Sequence, residues 1–224
     1  MLRRAINSLK DFLFPIFCAC GAEGVWLCQQ CKRRINIRPF IFYPAVSELY
    51  LGVLVFFSYV GNPNLSRLIV FWKYNFAEEI KSEWEWLLCQ NISFLLEYWK
   101  KFDAQKVVYL VPVPLHPRRE RERGFNQARV LAGLLVGILQ ECGMKVEVCE
   151  KLRRVRYTSQ QARLTPAERA KNLPGAFAWD GEWVPEQVVL VDDVFTTGTT
   201  TRECARVLSS VGVKKIGVVV LAHG

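Results

Sequence analysis

A chain of 224 residues, 51% of them hydrophobic, has material for one large domain with a real core plus a small appendage. Its formal net charge of +9 favours polyanionic partners such as nucleic acid, acidic lipid or phosphorylated substrates, without choosing among them. The apolar run at 53–57 is too short to cross a bilayer, so the sequence contains no expected transmembrane segment.

Residues 1–40 read as a separate module. A basic amphipathic opening (Leu2, Ile6, Leu9, Phe12, Leu13) leads into C-A-C-G at Cys18–Gly21 and C-Q-Q-C at Cys28–Cys31. The opening does not read as a signal peptide. Asp11 interrupts its apolar stretch, and bulky Ile16 and Phe17 stand where small residues precede a cleavage site. The expectation is a cytoplasmic protein whose eight cysteines are metal ligands or buried thiols rather than disulfides. Cys18, Cys20, Cys28 and Cys31 put four thiolates on two turns, which suits a tetrahedral Zn²⁺ site. Such a site would hold together a segment too small to fold alone. The spacing of the second pair is typical of zinc ligands and the C-x-C of the first is not; the alternative is a loop without metal. A catalytic thiol is disfavoured, since only two histidines exist and neither is near in sequence.

Residues 41–105 read as a hood-like second layer. Leu49 to Tyr59 is β-structure, followed by the turn G-N-P-N at Gly61–Asn64. A helix then carries Leu65, Leu68, Ile69 and Trp72, and ends in F-W-K-Y-N at Phe71–Asn75, a basic and aromatic patch that core packing explains equally well. A second helix runs from about Ala77 to Trp99, with Trp84, Leu87, Leu88, Ile92, Leu95, Leu96 and Trp99 at helical spacing. These aromatics read as core more readily than as a platform for bases.

From 106 to 224 strands and helices alternate. The expected strands are Val107–Pro114, Val146–Cys149, 188–192 and Lys215–Ala222; the expected helices are Gly124–Glu141 and 199–211. This alternation implies an α/β fold with a parallel sheet flanked by helices. Ligands of such sheets bind at the carboxyl edge, and three segments are expected there. The first, V-V-L-V-D-D-V-F-T-T-G-T-T-T, places Asp192 and Asp193 after a buried strand and Thr196, Thr197, Gly198, Thr199 and Thr200 before a helix. Loop amides and the positive helix end face an anion, Gly198 lets the backbone approach it, and the hydroxyls add donors. The two carboxylates can accept from a vicinal diol or hold Mg²⁺ through its waters. The alternative is a capped helix with the acids in a turn. It is not a Walker loop, because no Gly-Lys-Ser/Thr follows.

The second segment, P-V-P-L-H-P-R-R-E-R-E-R-G-F-N-Q at Pro112–Gln127, offers Arg118, Arg119, Arg121 and Arg123, with Gly124 at the expected helix start. Guanidinium groups suit bidentate phosphate binding; the alternative is a solvated loop partly neutralised by Glu120 and Glu122. The third, Arg153–Phe177, is long, polar and basic, with a capping-box helix start at Thr165–Glu168. A connection of that length is a lid, a binding loop or a flexible linker.

The acid–threonine stretch closely resembles the signature by which type I phosphoribosyltransferases bind 5-phosphoribosyl-1-diphosphate (PRPP), and the Arg123-Gly124-Phe125 triplet resembles the pyrophosphate-side loop of adenine phosphoribosyltransferases. The whole order resembles the ComF family: paired cysteines, F-x-K-Y, V-P-V-P…R-G-F-N-Q-A, T-x-x-Q-x-x-L-x-x-x-x-R-x-x-N and D-D-x-x-T-T-G-x-T. That family usually has C-x-x-C as its first pair; here Phe17 occupies the expected first position. The resemblance implies a type I phosphoribosyltransferase-like core with a Cys₄ zinc module, and PRPP or a related ribose phosphate bound with Mg²⁺. It implies a loop that closes over PRPP from the position of 153–176, where hydrolysis competes with transfer. It further implies help for incoming single-stranded DNA beside uptake helicase or channel proteins. Two other functions stand beside that one: a working transferase delivering ribose 5-phosphate to a nitrogenous acceptor, and a regulator that binds PRPP without turnover.

Overall fold

The computed structural model describes residues 16–35, 37–44, 49–74, 80–157 and 173–224. The amphipathic opening at 2–13, the helix start at Thr165 and the middle of the 153–176 segment lie outside them. In chain order come α1 (Gln29–Arg34), β1 (Phe40–Phe42), β2 (Val53–Ser58), α2 (Pro63–Tyr74), α3 (Lys81–Gln90), α4 (Ile92–Trp99), β3 (Val108–Pro112), α5 (Pro117–Arg123), α6 (Gln127–Glu141), β4 (Val146–Val148), β5 (Leu152–Arg154), β6 (Phe177–Trp179), β7 (Gln187–Phe195), α7 (Thr199–Ser210) and β8 (Lys215–His223).

Continuous apolar runs make the middle of the sheet, because strands covered on both faces have no solvent side to alternate towards. Its order is β1-β2-β8-β7-β3-β4. Every pairing is parallel except β1 with β2. The two faces bury separate clusters. Val189, Val191 and Val219 lie with Trp72, Trp84, Leu131 and Leu135 from α2, α3 and α6. Val188, Leu190 and Val218 lie with Cys204 and Leu208 of α7 and Phe177 of β6. Helix α4 is seated on β8 by the buried Tyr98 hydroxyl, which donates to Gly52 O at 2.6 Å and accepts from Val218 N at 2.9 Å.

Four elements differ from the sequence reading. Strand β2, read as part of a second layer, hydrogen bonds to β8 inside the main sheet, so its burial comes from both faces. The helix expected up to Trp99 is two helices, broken at Asn91, where φ is −120° and the side-chain amide donates to Leu87 O at 2.9 Å. The arginine-rich stretch read as a loop is the helix α5. His116 caps it by accepting from Arg118 N at 3.2 Å, Pro117 takes its first turn, and Gly124 ends it at φ 81°. Gly124 therefore closes a helix instead of starting one, and α6 begins after Asn126, whose side chain accepts from Ala128 N at 3.0 Å.

Candidate functional site

Strand β3 leads through α5 and α6 outward to β4, whereas β7 leads through α7 in the opposite direction to β8. The carboxyl ends of the neighbouring strands β3 and β7 are thus the point where the winding reverses, the place in an open α/β sheet where a crevice opens. A cavity of about 520 Å³ lies there, bordered by Asp192, Asp193 and residues 196–201 from the β7 side and by Arg119, Arg123 and Asn126 from the β3 side.

The strand expected at 188–192 runs further, to Phe195, so both acids lie within β7. Adjacent strand residues face opposite sides of a sheet. Asp193 meets Lys73, in the last turn of α2, with Nζ 3.0 Å from Oδ2 and both side chains mostly buried. Asp192 accepts from the backbone N–H of Asp193 at 2.9 Å. Burial, and next the Asp193 carboxylate, push the Asp192 carboxyl up to about 7. On its side stands Cys204, fully buried, and that burial pushes its thiol well up. The pair straddles the end of β7, and the cavity wraps around both carboxylates.

Gly198 joins the strand to α7 with φ 68°. A Cβ there would meet the Phe195 ring at 2.3 Å, so only glycine fits both the backbone and the space. No side chain caps α7, and its first-turn N–H groups carry the positive end of the helix dipole to the cavity edge. Thr197 Oγ1 and Thr199 Oγ1 share a hydrogen bond at 2.8 Å. Thr201 points inward, donating to Gly198 O at 3.0 Å and accepting from the buried Tyr50 hydroxyl at 3.3 Å. The inner hydroxyl holds the loop, and the outer ones present donors to the cavity.

Arg123 borders the opposite wall, its guanidinium 5.7 Å from the Tyr74 ring centroid and donating to Gln127 Oε1 at 3.2 Å. Gly124 is not among the bordering residues; its left-handed turn sets Arg123 and Asn126 against the wall. Sequence reasoning did not assign Lys73 or Arg154 to the site, though both border the cavity. Lys73 was visible in F-W-K-Y-N, but a lone lysine near aromatics has no spacing that predicts its partner. Arg154 sits in β5, 8% exposed, its guanidinium over Phe177 at 5.3 Å. Strands β5 and β6 form an antiparallel ribbon. Arg156 extends it by donating to Pro174 O at 2.8 Å, and Gly175 N donates to Glu203 of α7 at 3.0 Å. Both ends of the 153–176 segment are thereby held beside the cavity.

The four N-terminal cysteines form a second cluster, their sulfurs all within 4.8 Å of one another. Cys18 and Cys20 lie on a tight turn closed by the Phe17–Glu23 bridge. Cys28 caps α1, which brings Cys31 around in its first turn. Backbone N–H groups of Cys28 and Cys31 point at the sulfurs of Cys18 and Cys28 at 3.3 and 3.4 Å, as in thiolate turns. Cys20 and Cys28 sulfurs are 3.5 Å apart, close to the roughly 3.8 Å edge of a tetrahedron with 2.3 Å metal–sulfur bonds. Burial pushes Cys31 up to about 12. Burial also acts to raise Cys18, but N–H donors and neighbouring thiols outweigh it and bring that thiol to about 7. The donor set fits a metal ion such as zinc.

Residues 185–224 match the model of the phosphoribosyl transferase domain. The chain is 28% identical to Competence protein F of Haemophilus influenzae, over 88% of this chain and 90% of that one. It is 34% identical to the DNA utilization protein YhgH of Escherichia coli K12, over 70% of this chain and 66% of the relative. It is 32% identical to Competence protein ComFC of Streptococcus pneumoniae, over 55% of this chain and 50% of the relative. The chain belongs to the ComF family. As in that family's motif order, the acid pair and threonine loop of this ComF chain fall inside the matched phosphoribosyl transferase region, and its cysteine cluster stands before it. No helix among the described residues is long and apolar enough to cross a membrane.

Proposed function

We propose that this ComF-family chain binds PRPP or a related ribose phosphate with Mg²⁺ and serves the uptake of single-stranded DNA. In this reading Thr196 to Thr200 and the α7 amides take the 5-phosphate, Asp192 and Asp193 hold the ribose diol with Mg²⁺ assisting, and Arg123, set by Gly124, faces the pyrophosphate. The observation that carries the reading is the cavity at the winding reversal, with an uncapped helix start at one wall, two carboxylates in the middle and arginine at the other. Mg²⁺, when bound, neutralises phosphate charge. The chain's own residues orient the ribose, with Arg154 of β5 bordering the same cavity. The four cysteines hold zinc in a structural role. The names of the relatives, two competence proteins and a DNA utilization protein, support the DNA role; in this reading the chain works in the cytoplasm beside uptake helicase or channel proteins.

Calorimetry with Mg·PRPP on the wild type and on Asp192→Asn/Asp193→Asn tests the site; unchanged binding in the folded double variant would refute it. Transformation frequency in a deletion strain tests the role. Pyrophosphate release with a set of nitrogenous bases would instead bring forward the transferase reading.

A further inference from the structure

We propose that Lys73 is a built-in cation for the acid pair, and that ligand binding transfers its ammonium from Asp193 to an anionic group of the incoming molecule. The inference rests on the reading of the acid pair as the Mg²⁺ and diol site, and adds a substrate-binding residue which that reading does not contain. Asp193 is 7% exposed, and a carboxylate so buried is strongly disfavoured unless a partner offsets it. Lys73 supplies that partner at 3.0 Å, with side-chain exposures of 20% and 10%. Both residues border the cavity, so the contact lies where a ligand would compete for it.

The backbone beneath Lys73 is fixed while its side chain is long. Trp72 is fully buried, packed on Trp84 and Phe125 with ring centroids 5.5 and 6.2 Å away. Its carbonyl accepts from Gln127 Nε2 at 3.1 Å, and the same buried amide accepts from Arg123 at 3.2 Å through Oε1. One glutamine thus registers two cations from different elements against one cavity. A lysine held at its root, with four rotatable methylenes, can leave Asp193 without moving α2. An arriving Mg²⁺ or diol takes over the carboxylate, and the released ammonium stays within reach of phosphate oxygens already facing Arg123. No covalent step is involved.

The exchange makes opposite demands on two ligands. Mg²⁺ alone must compete with the ammonium for Asp193, whereas Mg·PRPP gains it. Calorimetry with MgCl₂ alone and with Mg·PRPP on the wild type, Lys73→Met and Lys73→Arg reads both. Lys73→Met should bind Mg²⁺ alone about tenfold tighter and Mg·PRPP about tenfold weaker, and Lys73→Arg should return both towards wild type. A merely structural lysine would weaken both together. Parallel changes, or no change, in a variant with wild-type circular dichroism overturn the proposal; should Lys73→Met fail to fold, Lys73→Gln is measured against the same criteria. A wild type that binds Mg²⁺ but no PRPP overturns the site reading. The Mg²⁺ comparison then still decides whether Lys73 competes for the acid pair, and an unchanged Mg²⁺ affinity would sink that as well.

Discussion

At the scale of single residues, Asp192 carries the clearest pH dependence. Its carboxyl is held at about 7 by burial and by the neighbouring Asp193, against 3.8 for an ordinary aspartate. The native state therefore binds this proton more tightly than the unfolded chain. The associated stability is fully present below about pH 4 and is lost as pH rises through about 7. Asp192→Asn should match wild type at pH 4 and exceed it by about 1–2 kcal/mol at pH 8, measured by urea unfolding. Mg²⁺-dependent ligand binding should follow the opposite course, strengthening as pH rises and levelling above 7, because the metal needs the carboxylate. Gly198→Ala should cost about 2–3 kcal/mol and most of the phosphate affinity, since the new methyl strikes the Phe195 ring in a left-handed backbone. A thermal melt and a PRPP titration check the two halves. The residue types of this loop were legible in the sequence because a buried strand, acids, hydroxyls and glycine form a contiguous pattern. That the two acids straddle the sheet was not, because a polar pair at a strand end reads equally well as a turn.

Among elements, the cysteine module is tied to the helical face more closely than its separate reading in sequence suggests. Cys18, Leu27 and Cys31 belong to the same buried cluster as Trp72 and Trp84. Trp26 meets Phe71 at 5.7 Å, and Lys32 pairs with Glu83 of α3 at 2.6 Å, the side chains 17% and 10% exposed. Purified protein should contain about one zinc ion. Chelation should melt α1 and lower the melting temperature of the whole while leaving the sheet's far-ultraviolet signal largely intact; reconstituted protein without stoichiometric zinc would refute the ligand set. Lys32→Met should destabilise by about 2–4 kcal/mol by leaving Glu83 buried without its cation, and Lys32→Met/Glu83→Gln should recover much of the loss in a denaturant series. The strong apolar periodicity of α6 and the bare aliphatic runs of β7 and β8 made those elements readable. Helix α5 was missed although Pro117 and Gly124 stand at its two ends, because seven charged or proline residues give no apolar stripe to follow.

For the whole molecule, the charge of +9 is not spread as one uniform strip. Arg129 is bridged to Glu120 and Glu150, both at 2.6 Å, and Arg154 is turned inward. Arg118, Arg121, Arg153 and Arg156 are exposed; Arg118 pairs with Glu122 at 3.2 Å and Arg153 with Asp180 at 3.5 Å, and Tyr157 lies under Arg118 at 5.2 Å. Single-stranded DNA should bind with little sequence preference and a steep salt dependence. Replacing Arg118, Arg121 and Arg153 with alanine should flatten the log–log slope by about two units if each meets a phosphate. A fluorescence titration across salt reads the slope, and an unaltered slope would remove these arginines from the DNA path. The alternation of strands and helices announced the parallel sheet, but nothing local in 49–59 could reveal that β2 slots in beside β8, since strand order is set by distant partners. That pairing also governs how the chain comes to be folded. Val53 has a near neighbour in Phe42 of β1, but its other edge finds Val218, and β8 also separates β2 from β7. During synthesis the edge of β2 that faces β8 must therefore wait, unpaired, while most of the described chain is made. Closing so distant a contact is slow. The β1–β2 pair and the β3, β4 and β7 strands can form beforehand, and β8, made last of the strands, joins the two parts into one sheet.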